Sequence, residues 1–225
     1  MFAASSTKSQ SDALMKPTLI ALHGYTMNGT RLRLLGEELF RVLEPHVNLV
    51  FPDAPHVCTP EAAEAAFSAW RITPPEPPYL RWWRATDDGS VYEGWDASRA
   101  SVSALVPEAS PTIVLGFSQG AMAAATLAAL SAQGNFPSLR GVVLIAGGVP
   151  RARDLSPLFD LPIHVPSLHV WGERDPIASD SAPRLAECFE ETQRETMSWG
   201  GSHAIPQSGA PAATIARFVR ERLGV

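Results

Sequence analysis

The stretch from residue 111 to 133 limits the fold of this chain more than any other. Pro111-Thr112-Ile113-Val114-Leu115-Gly116 is short, apolar and β-branched, as a buried strand is. Ala121 to Leu130 is an alanine-rich run carrying Met122, Leu127 and Leu130, as a helix is. Between them lies Gly116-Phe117-Ser118-Gln119-Gly120, a G-x-S-x-G sequence. A strand that turns into a helix within so few residues puts Ser118 on a sharp, strained turn, with its hydroxyl projecting above the carboxyl edge of the sheet. Side chains at 116 and 120 would collide across that turn, and small residues at 121, 123 and 124 let the helix settle closely on the sheet. Gly134 is placed to end the helix.

The rest of the chain repeats the alternation of strand and helix. Thr18-Leu19-Ile20-Ala21-Leu22 is a continuous apolar run, as expected of a strand buried on both faces. Asn28 can cap a helix over residues 29 to 44, in which Leu32, Leu35, Leu39, Phe40 and Leu43 fall at helical spacing. Strands are predicted over 47–52, 141–146, 166–171 and 195–199, and helices near 179–190 and at the end of the chain, where Ile215, Phe218, Val219 and Leu223 share a face. This pattern predicts an α/β fold, a mainly parallel sheet flanked by helices on both faces. With 225 residues and 45% hydrophobic content the chain can bury one sizeable core, so one domain is expected over 16–225. Residues 53–95 interrupt the alternation. Pro74, Pro75, Pro77 and Pro78 argue against a long regular element there, yet Phe67, Trp70, Tyr79, Trp82, Trp83, Tyr92 and Trp95 make the insert too aromatic to stay in water. It reads as a lid or pocket wall, with Trp82, Trp83 and Tyr92 as candidate substrate-binding residues, or as a cover for one sheet edge.

Composition removes several classes of function. Lys and Arg number 18 against 23 Asp and Glu, a net charge of −5 with no basic block, which argues against a nucleic-acid partner. Cys58 and Cys188 are far apart and outside any C-x-x-C pair, so neither a disulfide framework nor a zinc site is expected, and plain thiols suit a reducing, cytoplasmic setting. No apolar stretch reaches the roughly 18 residues needed to span a bilayer. Residues 1–15, Ser-rich with the single Lys8, have neither the charged start nor the apolar centre of a secretory signal and read as a disordered tail, at most a weak targeting segment.

A serine hydroxyl is a poor nucleophile near neutral pH and needs a base, which in turn needs an acid to hold its tautomer. On a strand-turn-helix elbow of this kind the acid and then the base follow the serine along the chain. His203, in Gly200-Gly201-Ser202-His203-Ala204-Ile205-Pro206, falls between the last strand and the last helix and is the candidate base. His169 lies inside an apolar strand and reads as a hydrogen-bonded core residue, His164 as a surface residue, and His46 and His56 precede Ser118. In Trp171-Gly172-Glu173-Arg174-Asp175-Pro176, Asp175 is the best-placed acid, with Glu173 and Asp180 as rivals, since Pro176 restricts the backbone at 175. An oxyanion formed at Ser118 needs two backbone donors, for which the amides of Gln119 and Tyr25 are the candidates. Gln119 opens the helix, and Gly24 lets the loop after the first strand turn toward the site; His23 reads as a structural loop residue.

Leu22-His23-Gly24-Tyr25 with Asn28-Gly29, Gly116-Phe117-Ser118-Gln119-Gly120, His169-Val170-Trp171-Gly172 with Asp175, and Gly200-Gly201-Ser202-His203-Ala204-Ile205-Pro206 together resemble the fungal "family of serine hydrolases" and its ovarian-cancer-associated-gene relatives. Trp82-Trp83, Asp88-Gly89, Tyr92-Glu93-Gly94 and Ser98 resemble that family's middle segment, so the likeness runs from about residue 16 to the end. The resemblance implies a small α/β-hydrolase acting on small-molecule carboxylic esters, often with medium or long acyl or alkyl chains, without cofactor or metal. It places nucleophile, acid and base on Ser118, Asp175 and His203. The chain departs from the family in setting Ser202 between Gly201 and the histidine. An acyl-thioesterase or lysophospholipase using the same three residues, and a hydrolase fold kept as a binding module, are the alternatives.

Overall fold

In the computed structural model, which describes residues 16–70 and 73–225, Thr18–Leu22 is the first strand, β1, and all five of its residues are buried. Its side chains alternate between two cores, Ile20 and Leu22 in one, Leu19 and Ala21 in the other. A strand of period two covered on both faces has to do this. The chain continues through α1 (Gly29–Leu35), α2 (Glu37–Leu43), β2 (Asn48–Val50), β3 (His56–Val57), α3 (Pro60–Trp70), β4 (Leu80–Arg81), β5 (Arg84–Ala85), β6 (Tyr92–Glu93) and α4 (Trp95–Ser103). It ends with β7 (Thr112–Phe117), α5 (Gln119–Ala132), β8 (Leu139–Ile145), β9 (Ser167–Gly172), α6 (Ser181–Glu187), β10 (Arg194–Trp199) and α7 (Gly209–Leu223).

Six strands form one sheet in the order β10-β9-β8-β7-β1-β2, every pair parallel. α4 and α5 supply one core, while α1, α2 and α7 supply the other. After β1 the chain steps outward to β2, and after β7 it steps the other way to β8. The loops leaving β1 and β7 therefore part at the carboxyl edge of the sheet, and that topological switch point is where such sheets leave a crevice.

Two local expectations are corrected. The helix foreseen over 29–44 is two helices that break at Gly36, because the Phe40 ring packs where a side chain at 36 would stand: a Cβ there would lie 2.5 Å from that ring. The insert holds a regular element after all, the eleven-residue α3. Thr59 Oγ1 accepts from the Ala62 amide at 3.2 Å and Pro60 fills the first position, so this stretch has a cap and a proline start, and its prolines 74–78 come only after the helix. The remaining insert forms two small antiparallel pairs, β3 with β4 and β5 with β6. Gly134 stands just past the end of α5 with φ of +95°, as foreseen. The tail expected over 1–15 lies outside the described residues. No helix among the described residues is long and apolar enough to cross a membrane.

His169 is the core residue its sequence context suggests. It is buried in β9, Nε2 lies 3.0 Å from the Ser167 hydroxyl, and the ring meets Phe189 edge-on. Burial, with the charge of Arg194 adding to it, pushes its pKa down to about 3. Unfolded, the same side chain titrates at about 6.5. Between these values the unfolded chain binds a proton that the folded chain does not, so stability present above about pH 6.5 is lost as the pH falls toward 3. Urea unfolding at pH 7 and pH 4 should show a loss of about 3 kcal/mol from this one group, and His169→Gln should flatten the slope by that amount. Equal slopes in the two proteins would contradict the assignment.

Candidate active site

The turn between β7 and α5 is as sharp as two glycines allow. Ser118 adopts φ 54° and ψ −116°, outside the regions open to an L-residue without strain. The surroundings hold it there: its amide donates to Ile145 O at 2.8 Å, and its carbonyl accepts from the amides of Ala121 and Met122 at 2.9 and 3.2 Å. A Cβ on Gly116 would lie 2.2 Å from Gly120 O, and one on Gly120 would lie 2.2 Å from Leu22 O. The buried alanines at 121, 123, 124, 125 and 128 keep α5 close enough to the sheet for both contacts.

Two further loops reach the same edge. The loop after β9 and the loop after β10 are laced together, Glu173 N donating to Trp199 O at 2.8 Å and Arg174 N to Gly201 O at 3.0 Å. Gly172 is so close to the second loop that a Cβ there would lie 2.4 Å from the Ser202 carbonyl. Asp175 is buried at their junction. Its Oδ1 accepts from the amides of Ile177 and Ala178 at 2.8 and 3.0 Å, and its Oδ2 lies 2.8 Å from His203 Nδ1. His203 Nε2 lies 3.0 Å from Ser118 Oγ. Burial opposes the charge on Asp175, but the hydrogen bonds from His203 and the two amides outweigh it and hold the carboxyl below its ordinary pKa. A carboxylate at Nδ1 fixes the proton on that nitrogen and turns the Nε2 lone pair toward the serine hydroxyl, which donates to it. The rival acids lie elsewhere: Glu173 is exposed and accepts from the Ser198 hydroxyl at 3.0 Å, and Asp180 is exposed at the start of α6. His56 is engaged with Gly94 O at 2.8 Å, and His164 is exposed.

The loop after β1 faces this trio, for a Cβ on Gly24 would lie 3.3 Å from Ser118 Cβ. His23 anchors the loop. It is fully buried, Nδ1 lies 2.8 Å from Gly24 O, and Nε2 accepts from the Ala54 amide at 3.0 Å. Burial lowers its pKa, which keeps Nε2 an acceptor. Trp82 supports the same loop from below, its indole N–H donating to His23 O at 2.8 Å. The Gln119 side chain clamps Trp82 in turn, Oε1 accepting from Trp82 N at 2.9 Å and Nε2 donating to Trp83 O at 3.0 Å, while the Ser98 hydroxyl donates to Trp82 O. The residue after Ser118 is thus tied through Trp82 to the loop carrying Tyr25, an arrangement no local sequence signal announced.

The proposed substrate-binding role of Trp82, Trp83 and Tyr92 is corrected by this packing. None of the three lines the cleft at Ser118; they are 0%, 3% and 8% exposed. Trp83 stacks on Tyr92 at 4.7 Å and meets Trp95 edge-on, and the Tyr92 hydroxyl accepts from the Arg151 amide. They pack over one face of the sheet, in one core with Ile20, Leu22, Val114, Val142 and Leu144, rather than over a sheet edge, the alternative weighed from sequence. The cleft itself has a volume of about 180 Å³ and runs between Ser118 and His203 on one side and Met27, Leu35, Phe67 and Ile205 on the other. From the insert, Phe67 of α3 and Pro75 reach it. Leu35 shares a helix face with Arg31, four residues earlier, and that spacing was the signal available for it.

Residues 13–214 match the family described as Serine hydrolase (FSH1). The chain belongs to the FSH1 serine hydrolase family. Among curated relatives of this FSH1-family chain, an esterase of Aedes aegypti is 30% identical over 98% of the chain and 83% of its own length. Esterase OVCA2 of Homo sapiens is 29% identical over 89% of this chain and 94% of its own. Thioesterase FSL2 of Gibberella zeae is 26% identical over 95% of each. Among solved structures, esterase PE8 superposes with a TM-score of 0.66 at 23% identity, covering 93% of this chain and 94% of its own. Acyl-protein thioesterase 2 of Zea mays does so with 0.65 at 21%, covering 96% and 97%. Both carry the fold that the FSH1 resemblance implied, the α/β-hydrolase arrangement of a parallel sheet between helices.

Proposed function

We propose that this FSH1-family protein is a serine esterase that works through an acyl-enzyme. One observation carries the reading: a single imidazole spans the Ser118 hydroxyl at 3.0 Å and the buried Asp175 carboxylate at 2.8 Å. In this mechanism Ser118 Oγ attacks the ester carbonyl as His203 Nε2 takes its proton. The imidazolium so formed is stabilised by Asp175 and gives the proton to the leaving alcohol. Water, deprotonated by the same nitrogen, then releases the acid from Ser118. The amide of Gln119, at the start of α5, and that of Tyr25 hold the developing oxyanion. The apolar wall of the cleft receives the acyl chain at about 0.8 kcal/mol per buried methylene. A cleft of about 180 Å³ supports medium-length chains as the ones it holds.

The test is covalent. A fluorophosphonate probe should label the native protein once, at Ser118, and leave Ser118→Ala unlabelled. Activity on p-nitrophenyl esters should rise as the acyl chain lengthens from two carbons toward medium length. No label, or equal label on the variant, would refute the acyl-enzyme. A thioesterase reading has support in the name of the Gibberella relative. Acyl-thioesters assayed beside oxygen esters of the same chain separate the two, since the same three residues serve both leaving groups.

A further inference from the structure

Among the described residues that line the cleft at Ser118, one carries a permanent positive charge, Arg31. We propose that Arg31 determines specificity by selecting esters whose acyl chain ends in a carboxylate. This rests on the esterase reading.

Arg31 is half-buried, and its guanidinium has neither an ion pair nor a hydrogen bond with any described residue. Other arginines nearby are engaged, Arg33 with Glu44 and Arg41 with Glu38. Asp53, which lies against the start of α1, uses its Oδ1 to accept from the Gly29 amide at 2.8 Å. The backbone at Arg31 is fixed, because its amide donates to Asn28 Oδ1 at 2.8 Å. A cation in the first turn of a helix also stands where the backbone dipoles disfavour it, and α1 has no acidic residue in that turn to offset this. The charge is therefore unanswered among the described residues, in a cleft where Met27, Leu35, Phe67, Pro75 and Ile205 supply apolar surface beside the polar Tyr25, Thr26 and Gln207.

A guanidinium offers a planar fork of donors that fits a carboxylate, and apolar surroundings strengthen the attraction by lowering the local dielectric. The acyl part stays joined to Ser118 after the alcohol has left. It is the part the cleft holds longest, and the part on which an anchoring charge acts through both steps. An acyl chain with a methyl end would meet the apolar wall but leave Arg31 without a partner.

The experiment compares pairs of equal chain length: monomethyl adipate, suberate and sebacate against methyl hexanoate, octanoate and decanoate, on wild type and on Arg31→Gln. Wild type should prefer the carboxylate member of at least one pair by about 10- to 100-fold in kcat/KM, mainly through KM, with the preference shrinking as salt is added. Arg31→Gln should erase the preference within each pair, slowing the carboxylate-ended member about 10- to 100-fold more than the methyl-ended one. Equal rates within every pair, or a variant that slows both members equally because only the arginine stem packs there, would overturn the proposal. Equilibrium binding of monomethyl suberate and methyl octanoate to Ser118→Ala separates this inference from the reading beneath it. If wild type hydrolyses none of these esters, the esterase reading falls. If the two compounds bind Ser118→Ala equally well, the role of Arg31 falls, whether or not hydrolysis is seen.

Discussion

Replacing Ser118 by alanine should lower kcat toward a p-nitrophenyl ester by about 10⁶-fold, and replacing Asp175 by asparagine by about 10⁴-fold, with both variants folded. The first loss follows because Ser118 Oγ is the hydroxyl at His203 Nε2 among the described residues, and what would remain is the catalysis supplied by the proposed oxyanion donors and the cleft. The second follows from the way Asp175 divides its oxygens. Oδ1 is occupied by the amides of Ile177 and Ala178, so an asparagine would keep its carbonyl there and turn its NH₂ toward His203. The imidazole would then have to present a lone pair at Nδ1 and carry its proton on Nε2, facing Ser118, the wrong tautomer for a base. Steady-state kinetics with circular dichroism as a fold control would decide. An Asp175→Asn protein with near wild-type kcat would mean that the 2.8 Å contact does not set the tautomer.

Gly120→Ala should be a severely damaging single methyl. The added Cβ would meet Leu22 O at 2.2 Å and His23 O at 2.6 Å, both backbone atoms where β1 runs into the loop that carries Tyr25. No side-chain rotation relieves such an overlap, so α5 must lift from the sheet or the loop must move. A loss of about 4 kcal/mol or more is expected, the range reserved for severe overpacking and strain. Whatever protein still folds should have lost most of its turnover, because the displaced loop carries Tyr25, whose amide is the second oxyanion donor in the mechanism proposed above. Gly200→Ala is the control: nothing lies within 4 Å of a Cβ there, and its stability should stay within about 0.5 kcal/mol of wild type. Chemical denaturation of the two variants side by side would sink the argument if they were alike.

The strand-elbow-helix at 111–133 was readable because every feature it needs is local: two glycines four apart, an apolar run before them and small residues after them. The β1 run and the face of α7 were readable for the same reason, since period and burial follow from neighbours on the same element. The break at Gly36 was not, because it depends on where the Phe40 ring packs. α3 was obscured by prolines that belong to the stretch after it, although Thr59 and Pro60 carried the start signal.

At the site the division is the same. The linear sequence determined which residue types the edge of the sheet presents, and in what order: a serine on a forced turn, a carboxylate after one strand and an imidazole after the next. Each is placed by the end of its own element, and the fold brings those ends together. Which aromatic rings face the cleft was decided only by tertiary structure. Trp82 is held by His23 O, 59 positions away, and by Gln119, 37 positions away, and a ring so held becomes part of the core. The same holds for Arg31, whose want of a partner among the described residues is a property of what is folded around it. An apolar or charged side chain states what it would gain by contact, and only the assembled neighbours decide whether that contact is made inside the protein or left for a substrate.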